Sequence, residues 1–75
     1  MNLEETIIFY LRAESGRFHA ACKKIEGKGY SFESITSCIS ELERNGKIIV
    51  MPYDEMDTNQ KYAFDKENEV IYKII

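Results

Sequence analysis

Between Ser31 and Ile48 the chain carries a pattern that few folds can accommodate. Phe32, Ile35, Cys38, Ile39 and Leu42 recur at the 3.6-residue spacing of one helix face. Ser31 is a natural N-cap, since its hydroxyl can accept from a free first-turn amide. Glu33 in that turn suits the positive end of the helix dipole. Asn45-Gly46 closes the helix, and the period then changes. Ile48-Ile49-Val50-Met51 is β-branched and apolar, and Pro52 fits a strand end better than a strand centre. A helix that passes into a strand through one glycine must share its core with that strand. An α+β fold is therefore expected.

The rest of the chain extends this reading. Asn2 can cap a first helix, with Glu5 three residues on completing a capping box. Leu3, Ile7, Tyr10 and Leu11 then keep helical spacing through about Ala13. Ser15-Gly16 ends that segment, because glycine tolerates the left-handed conformation of a helix C-terminus. A second helix is expected over Arg17–Ile25, burying Phe18, Ala21, Cys22 and Ile25 and stopped by Gly27-Lys28-Gly29. After the first strand, Lys61-Tyr62-Ala63-Phe64-Asp65 alternates as a strand does, and Val70–Ile75 alternates again. Three helices followed by a three-stranded antiparallel meander is the expected order.

Seventy-five residues, 44% apolar and 31% charged, provide for one modest core, so residues 1–75 are read as a single domain. The longest apolar run, Ile48–Tyr53, is far below the ~20 residues of a membrane span. The N-terminus lacks the basic start and apolar stretch of a secretion signal, so a cytoplasmic protein is expected. Cys22 and Cys38 are too few for a disulfide scaffold and have no second ligand pair beside them. They read as small buried thiols, with no structural zinc.

The run Ile35-(x)3-Ile39-(x)2-Leu42-Glu43-Arg44-Asn45-Gly46-Lys47-Ile48, together with the element order, resembles the winged helix-turn-helix family. Leu42 packs inward, Gly46 turns the chain, and Ile48 begins a strand over the same core. The resemblance covers nearly the whole chain and implies a wing after the third helix; the chain departs from the pattern in carrying an extra C-terminal strand, Val70–Ile75, beyond that wing. The chain departs from the family pattern in its long, glycine-rich turn Gly27-Lys28-Gly29-Tyr30. It departs again in the acidic wing tip Asp54-Glu55-Met56-Asp57, where DNA binders commonly carry Arg or Lys.

The resemblance implies double-stranded DNA as partner and a role in regulating transcription or replication. On the third helix Glu33, Ser37, Ser40 and Arg44 form a stripe opposite the apolar face, flanked by Thr36 and Glu41. Thr36, Ser37, Ser40 and Arg44 would then face the major groove, and Lys23, Lys24, Lys28 and Lys47 would contact phosphates. The plain alternative is a solvated helix face. Net charge is −3. Residues 1–53 hold seven Lys/Arg and seven Asp/Glu, whereas residues 54–75 hold three against six. That asymmetry allows a local positive edge beside an acidic sheet. It equally suits a second reading, a protein-interaction module (adaptor or inhibitor) on the same scaffold that binds no nucleic acid. A positive potential over the third helix would favour DNA, and a negative or mixed one would favour a protein partner.

Catalysis has little to work with. His19, the single histidine, reads as a surface or capping residue. Gly27 and Gly29 lack a phosphate-loop fingerprint, and the 54–57 acids lack the spacing of a calcium loop. No catalytic residue, metal or cofactor is expected, and the chain is not read as an enzyme. Tyr10, Phe18, Phe32, Tyr62 and Phe64 are expected in the core. Phe9 points about 145° away from the Leu3/Ile7/Tyr10/Leu11 face at 100° per residue. With Ile8 it makes the first helix apolar around most of its circumference. That helix is either sandwiched between the other helices and the extra C-terminal strand or forms a homodimer seam through Ile8 and Phe9. The apolar ending Ile71, Lys73, Ile75 offers a second route to self-association.

Overall fold

The computed structural model describes residues 1–75 as four α-helices and a two-stranded antiparallel sheet. Helix α1 spans Leu3–Ala13, α2 Phe18–Glu26, α3 Phe32–Arg44 and α4 Thr58–Glu67. Strand β1 is Ile48–Val50 and β2 is Tyr72–Ile74.

The first and third helices start where their polar residues direct. Asn2 Oδ1 accepts from the Glu5 amide at 2.8 Å, and the Glu5 carboxylate accepts from the Asn2 amide at 3.1 Å, which completes the capping box. Ser31 Oγ accepts from the Ser34 amide at 3.1 Å. Ile7, Leu11, Ala21, Cys22, Ile25, Ile35, Ile39, Leu42 and Ile48 then close on one another as a single core. Ile35, Ile39 and Leu42 all face inward, as the pattern between Ser31 and Ile48 requires.

The expected three-stranded meander is not formed. Residues 61–65 are helical and lie within α4. Asp57 accepts from the Gln60 amide at 2.7 Å, and Gln60 Oε1 accepts from the Asp57 amide at 3.0 Å. This second capping box starts a helix through the residues whose alternation suggested a strand. Only Ala63 of that helix is buried, against Met56 and Ile71 in a small second core. Tyr62 and Phe64, expected in the core, are exposed, and so is Phe32, while Tyr10 and Phe18 pack partly buried at its rim. The acidic tip is therefore not the tip of a hairpin. Tyr53–Glu55 forms a short 3-10 turn, and Asp57 is the cap of α4.

Strand β2 pairs with β1 directly, in the register Ile48–Ile74, Ile49–Lys73 and Val50–Tyr72. Its other side meets the turn after α1. Ile71 bridges Arg17, and the Tyr72 amide donates to the Gly16 carbonyl at 2.8 Å. Gly16 sits at φ +81°, and a Cβ there would run into the Tyr72 carbonyl, so the position requires glycine. The C-terminal segment is thus held on both sides where it enters β2, at Val70–Tyr72. Ile71 is fully buried, Lys73 is half-buried and paired with Glu55, and only Ile75 is exposed. Strand β1 has a neighbour on one side only, and its Ile49 and Val50 are exposed.

Helix α2 has no cap of its own, since Arg17 makes no side-chain cap bond. The cap comes from the far end of the chain. The buried Glu69 accepts the His19 amide at 2.7 Å and the Ala20 amide at 3.3 Å, while the Val70 carbonyl accepts from the Phe18 amide at 2.8 Å. Gln60 Nε2 also donates to the Ser15 carbonyl at 2.8 Å, tying α4 to the same corner. No helix of the chain is long and apolar enough to cross a membrane.

Candidate interaction surfaces

Helix α3 presents Glu33, Ser37, Ser40, Glu41, Glu43 and Arg44 to solvent. Three carboxylates therefore face one guanidinium, and that guanidinium is already engaged, because Arg44 donates to Glu41 at 2.6 Å. Thr36 is half-buried, and its hydroxyl turns back to the Phe32 and Glu33 carbonyls of its own helix, at 3.0 and 3.1 Å. Of the four residues expected to face a groove, Ser37 and Ser40 point outward without a partner in the chain.

The four lysines do not form one patch. Lys24 pairs with Glu14 at 2.8 Å and Lys47 pairs with Glu4 at 2.8 Å. Glu4 and Glu14 lie at opposite ends of α1, about 15 Å apart at 1.5 Å per residue, so these two cations are held at separate corners. The hydrogen bond to Lys24 keeps the Glu14 carboxyl below its ordinary range, and both lysines are raised in turn. Exposed pairs like these contribute little stability, but each places a carboxylate where an incoming phosphate would have to compete. Lys23 and Lys28 form no ion pair within the chain.

His19 lies at the start of α2 with its ring largely exposed, its Nδ1 2.8 Å from the Glu69 carboxylate that caps the helix. Cys22 is buried and Cys38 half-buried, and both are free thiols. Burial pushes Cys22 up to about 11, with Glu26 and Glu69 adding to the effect, and raises Cys38 in the same direction. Both thiols stay protonated at neutral pH, the opposite of what a nucleophile needs. No three His, Cys, Asp or Glu side chains converge in a way that could hold a metal ion.

The largest surface concavity, about 590 Å³, lies along the outward face of α1 and is lined by Met1, Glu4, Glu5, Ile8, Phe9, Arg12 and Ala13. Phe9 is 53% exposed and sits edge-on to Tyr10, with ring centroids 5.1 Å apart. The opposite side of the helix is fixed, because Ile7 and Leu11 are fully buried in the main core. Helix α1 is thus packed on one side and open and apolar on the other. A second aromatic surface lies over α4, where Tyr53 and Phe64 pair edge to face at 5.8 Å and Lys61 sits over the Tyr53 ring.

Sequence reasoning missed the carboxylates that decide these surfaces. Glu4 and Glu14 meet their lysines across tertiary contacts that no spacing rule reveals. Glu69 caps a helix 50 residues away. The Asp57-x-x-Gln60 box was legible by the same rule that located Asn2 and Glu5. No family model, curated protein or solved structure matches the chain.

Proposed function

We propose that this chain is a protein-interaction module on a winged-helix-like scaffold, with the outward face of α1 as its docking surface. Three helices passing through Gly46 into a strand is the layout that the resemblance implies, here with α4 in the place of a hairpin wing. The observation that carries the reading is the charge on α3, where Glu33, Glu41 and Glu43 outnumber an Arg44 that is itself bonded to Glu41. Affinity for duplex DNA comes chiefly from cations meeting phosphates. A recognition helix with this balance, beside lysines already paired to α1, supplies few of them. An exposed aromatic at the centre of an apolar groove, rimmed by charge, is by contrast the ordinary anatomy of a protein interface.

Ser37 and Ser40 facing outward, with the unpaired Lys23 and Lys28, favour a second reading, a DNA-binding regulator of transcription or replication. One titration separates the two. Fluorescent duplex DNA of mixed sequence, titrated with the protein at low salt, is expected to show no binding. Binding that is tight at low salt and falls steeply as salt rises would overturn the module reading, and its loss on Lys23→Glu with Lys28→Glu would locate the contact.

A further inference from the structure

Along the open face of α1 the residues are ordered by charge. Met1, Glu5, Ile8 and Arg12 follow the four-three-four spacing of a helix–helix seam, with Phe9 and Ala13 beside them. The N-terminal end of the stripe is acidic (Glu5, beside a Glu4 already paired with Lys47), its centre is apolar (Ile8, Phe9) and its C-terminal end is basic (Arg12). Arg12 forms no ion pair within the chain. Glu5 uses one carboxylate oxygen on the Asn2 amide, which leaves the other available.

We infer that the occupant of this groove is a second copy of the chain, with the two α1 helices packed antiparallel about a two-fold axis between Ile8 and Phe9. The inference rests on reading the α1 face as the docking surface, and it names the partner. In that register Glu5 of each copy lies beside Arg12 of the other, Ile8 meets Phe9, and Glu4 lies opposite the small Ala13. A parallel arrangement would set Glu5 against Glu5 and Arg12 against Arg12, so charge alone selects the antiparallel one. The contact is isologous, so it closes after two copies and leaves no surface to propagate a filament. With one eleven-residue helix from each copy, the interface falls below the roughly 1,200 Å² of total area at the low end of stable complexes. The dimer is accordingly a reversible one, formed at micromolar or higher concentration.

Sedimentation velocity of the full chain over a wide concentration range tests this, with circular dichroism as the check that each variant is folded. The wild-type chain passes from monomer to dimer as concentration rises. Phe9→Asp, at an exposed position, stays folded and monomeric throughout. Arg12→Glu weakens association by roughly tenfold, because it replaces two attractive contacts with two repulsive ones. The exchanged pair Glu5→Arg with Arg12→Glu recovers most of that loss. A folded wild-type chain that stays monomeric at every concentration overturns the inference, as does a dimer indifferent to both Phe9→Asp and Arg12→Glu. Neither result depends on DNA. A monomer that ignores duplex DNA overturns the self-pairing alone, whereas salt-sensitive DNA binding overturns the module reading whatever the oligomeric state.

Discussion

The two parts of this molecule are held together by different means. From Leu3 to Ile48 three helices and the first residue of a strand enclose nine buried apolar side chains. From Met51 to Ile75 the second core has only Met56, Ala63 and Ile71. Polar bonds make up the difference: the Asp57–Gln60 box starts α4, Gln60 reaches the Ser15 carbonyl, and Glu69 caps α2. The first part is stabilised by burial, which is non-directional and tolerates small shifts. The second depends on a few directional contacts, two of which (Gln60 to Ser15 and Glu69 to the start of α2) serve another element. The C-terminal part acts as a strap that closes the corner between α1 and α2 while adding little core of its own.

Substitutions should separate the two parts, and the largest effect belongs to the helical core. Leu42→Ala, at a fully buried position, is expected to cost about 3 kcal/mol from lost transfer energy and the cavity left behind. Urea unfolding should show the midpoint falling for the whole domain, because α1, α2 and β1 all pack on that residue's cluster. Glu69→Ala removes one residue from the strap, yet it is expected to cost about 2 kcal/mol, since it leaves two amides at the start of α2 without an acceptor. Hydrogen exchange should then quicken at His19 and Ala20 as well as in the C-terminal segment. If it quickened only beyond Ala63, Glu69 would be a local feature and the strap description would fail.

Smaller changes sharpen the same contrast. Asp57→Ala deletes the α4 cap and is expected to cost about 1 kcal/mol, with faster exchange confined to α4 and its tie to Ser15. Alkaline pH probes the main core. Burial raises Cys22 from 9.0 to about 11. Above pH 9 the unfolded chain therefore loses this proton while the folded chain keeps it until about pH 11. The unfolded state binds fewer protons over that window, so stability declines across it and levels off beyond. Tyr72, raised from 10.0 to about 12, extends the decline in the same direction. Denaturation midpoints measured through this range should fall, and Cys22→Ala should remove the earlier part of the fall.

The same contrast explains what could be read from sequence. In the helical part, apolar spacing and caps agreed. Ile35, Ile39 and Leu42 with Ser31 and Gly46 left one arrangement open, and Asn2 with Glu5 set the start of α1. In the C-terminal part they conflicted. The alternation of Tyr62, Ala63 and Phe64 suggested a strand with the aromatics inward, but both aromatics are exposed and only the small Ala63 between them is buried. The Asp57–Gln60 cap decided the outcome. On the surface, the outward direction of Phe9 and of the Ser37/Ser40 stripe followed from helical geometry. The pairing of Lys24 with Glu14 and Lys47 with Glu4 did not, because it depends on how α1 crosses its neighbours.

The proposed docking surface of this domain is α1 and not α3. Amide NMR spectra test it most directly, recorded first with rising protein concentration and then with duplex DNA added at low salt. Glu5, Ile8, Phe9 and Arg12 are expected to shift with concentration, while Ser37, Ser40 and Arg44 stay in place when DNA is added. Shifts gathered on Ser37, Ser40, Arg44, Lys23 and Lys28 upon DNA addition, with α1 unmoved throughout, would contradict it.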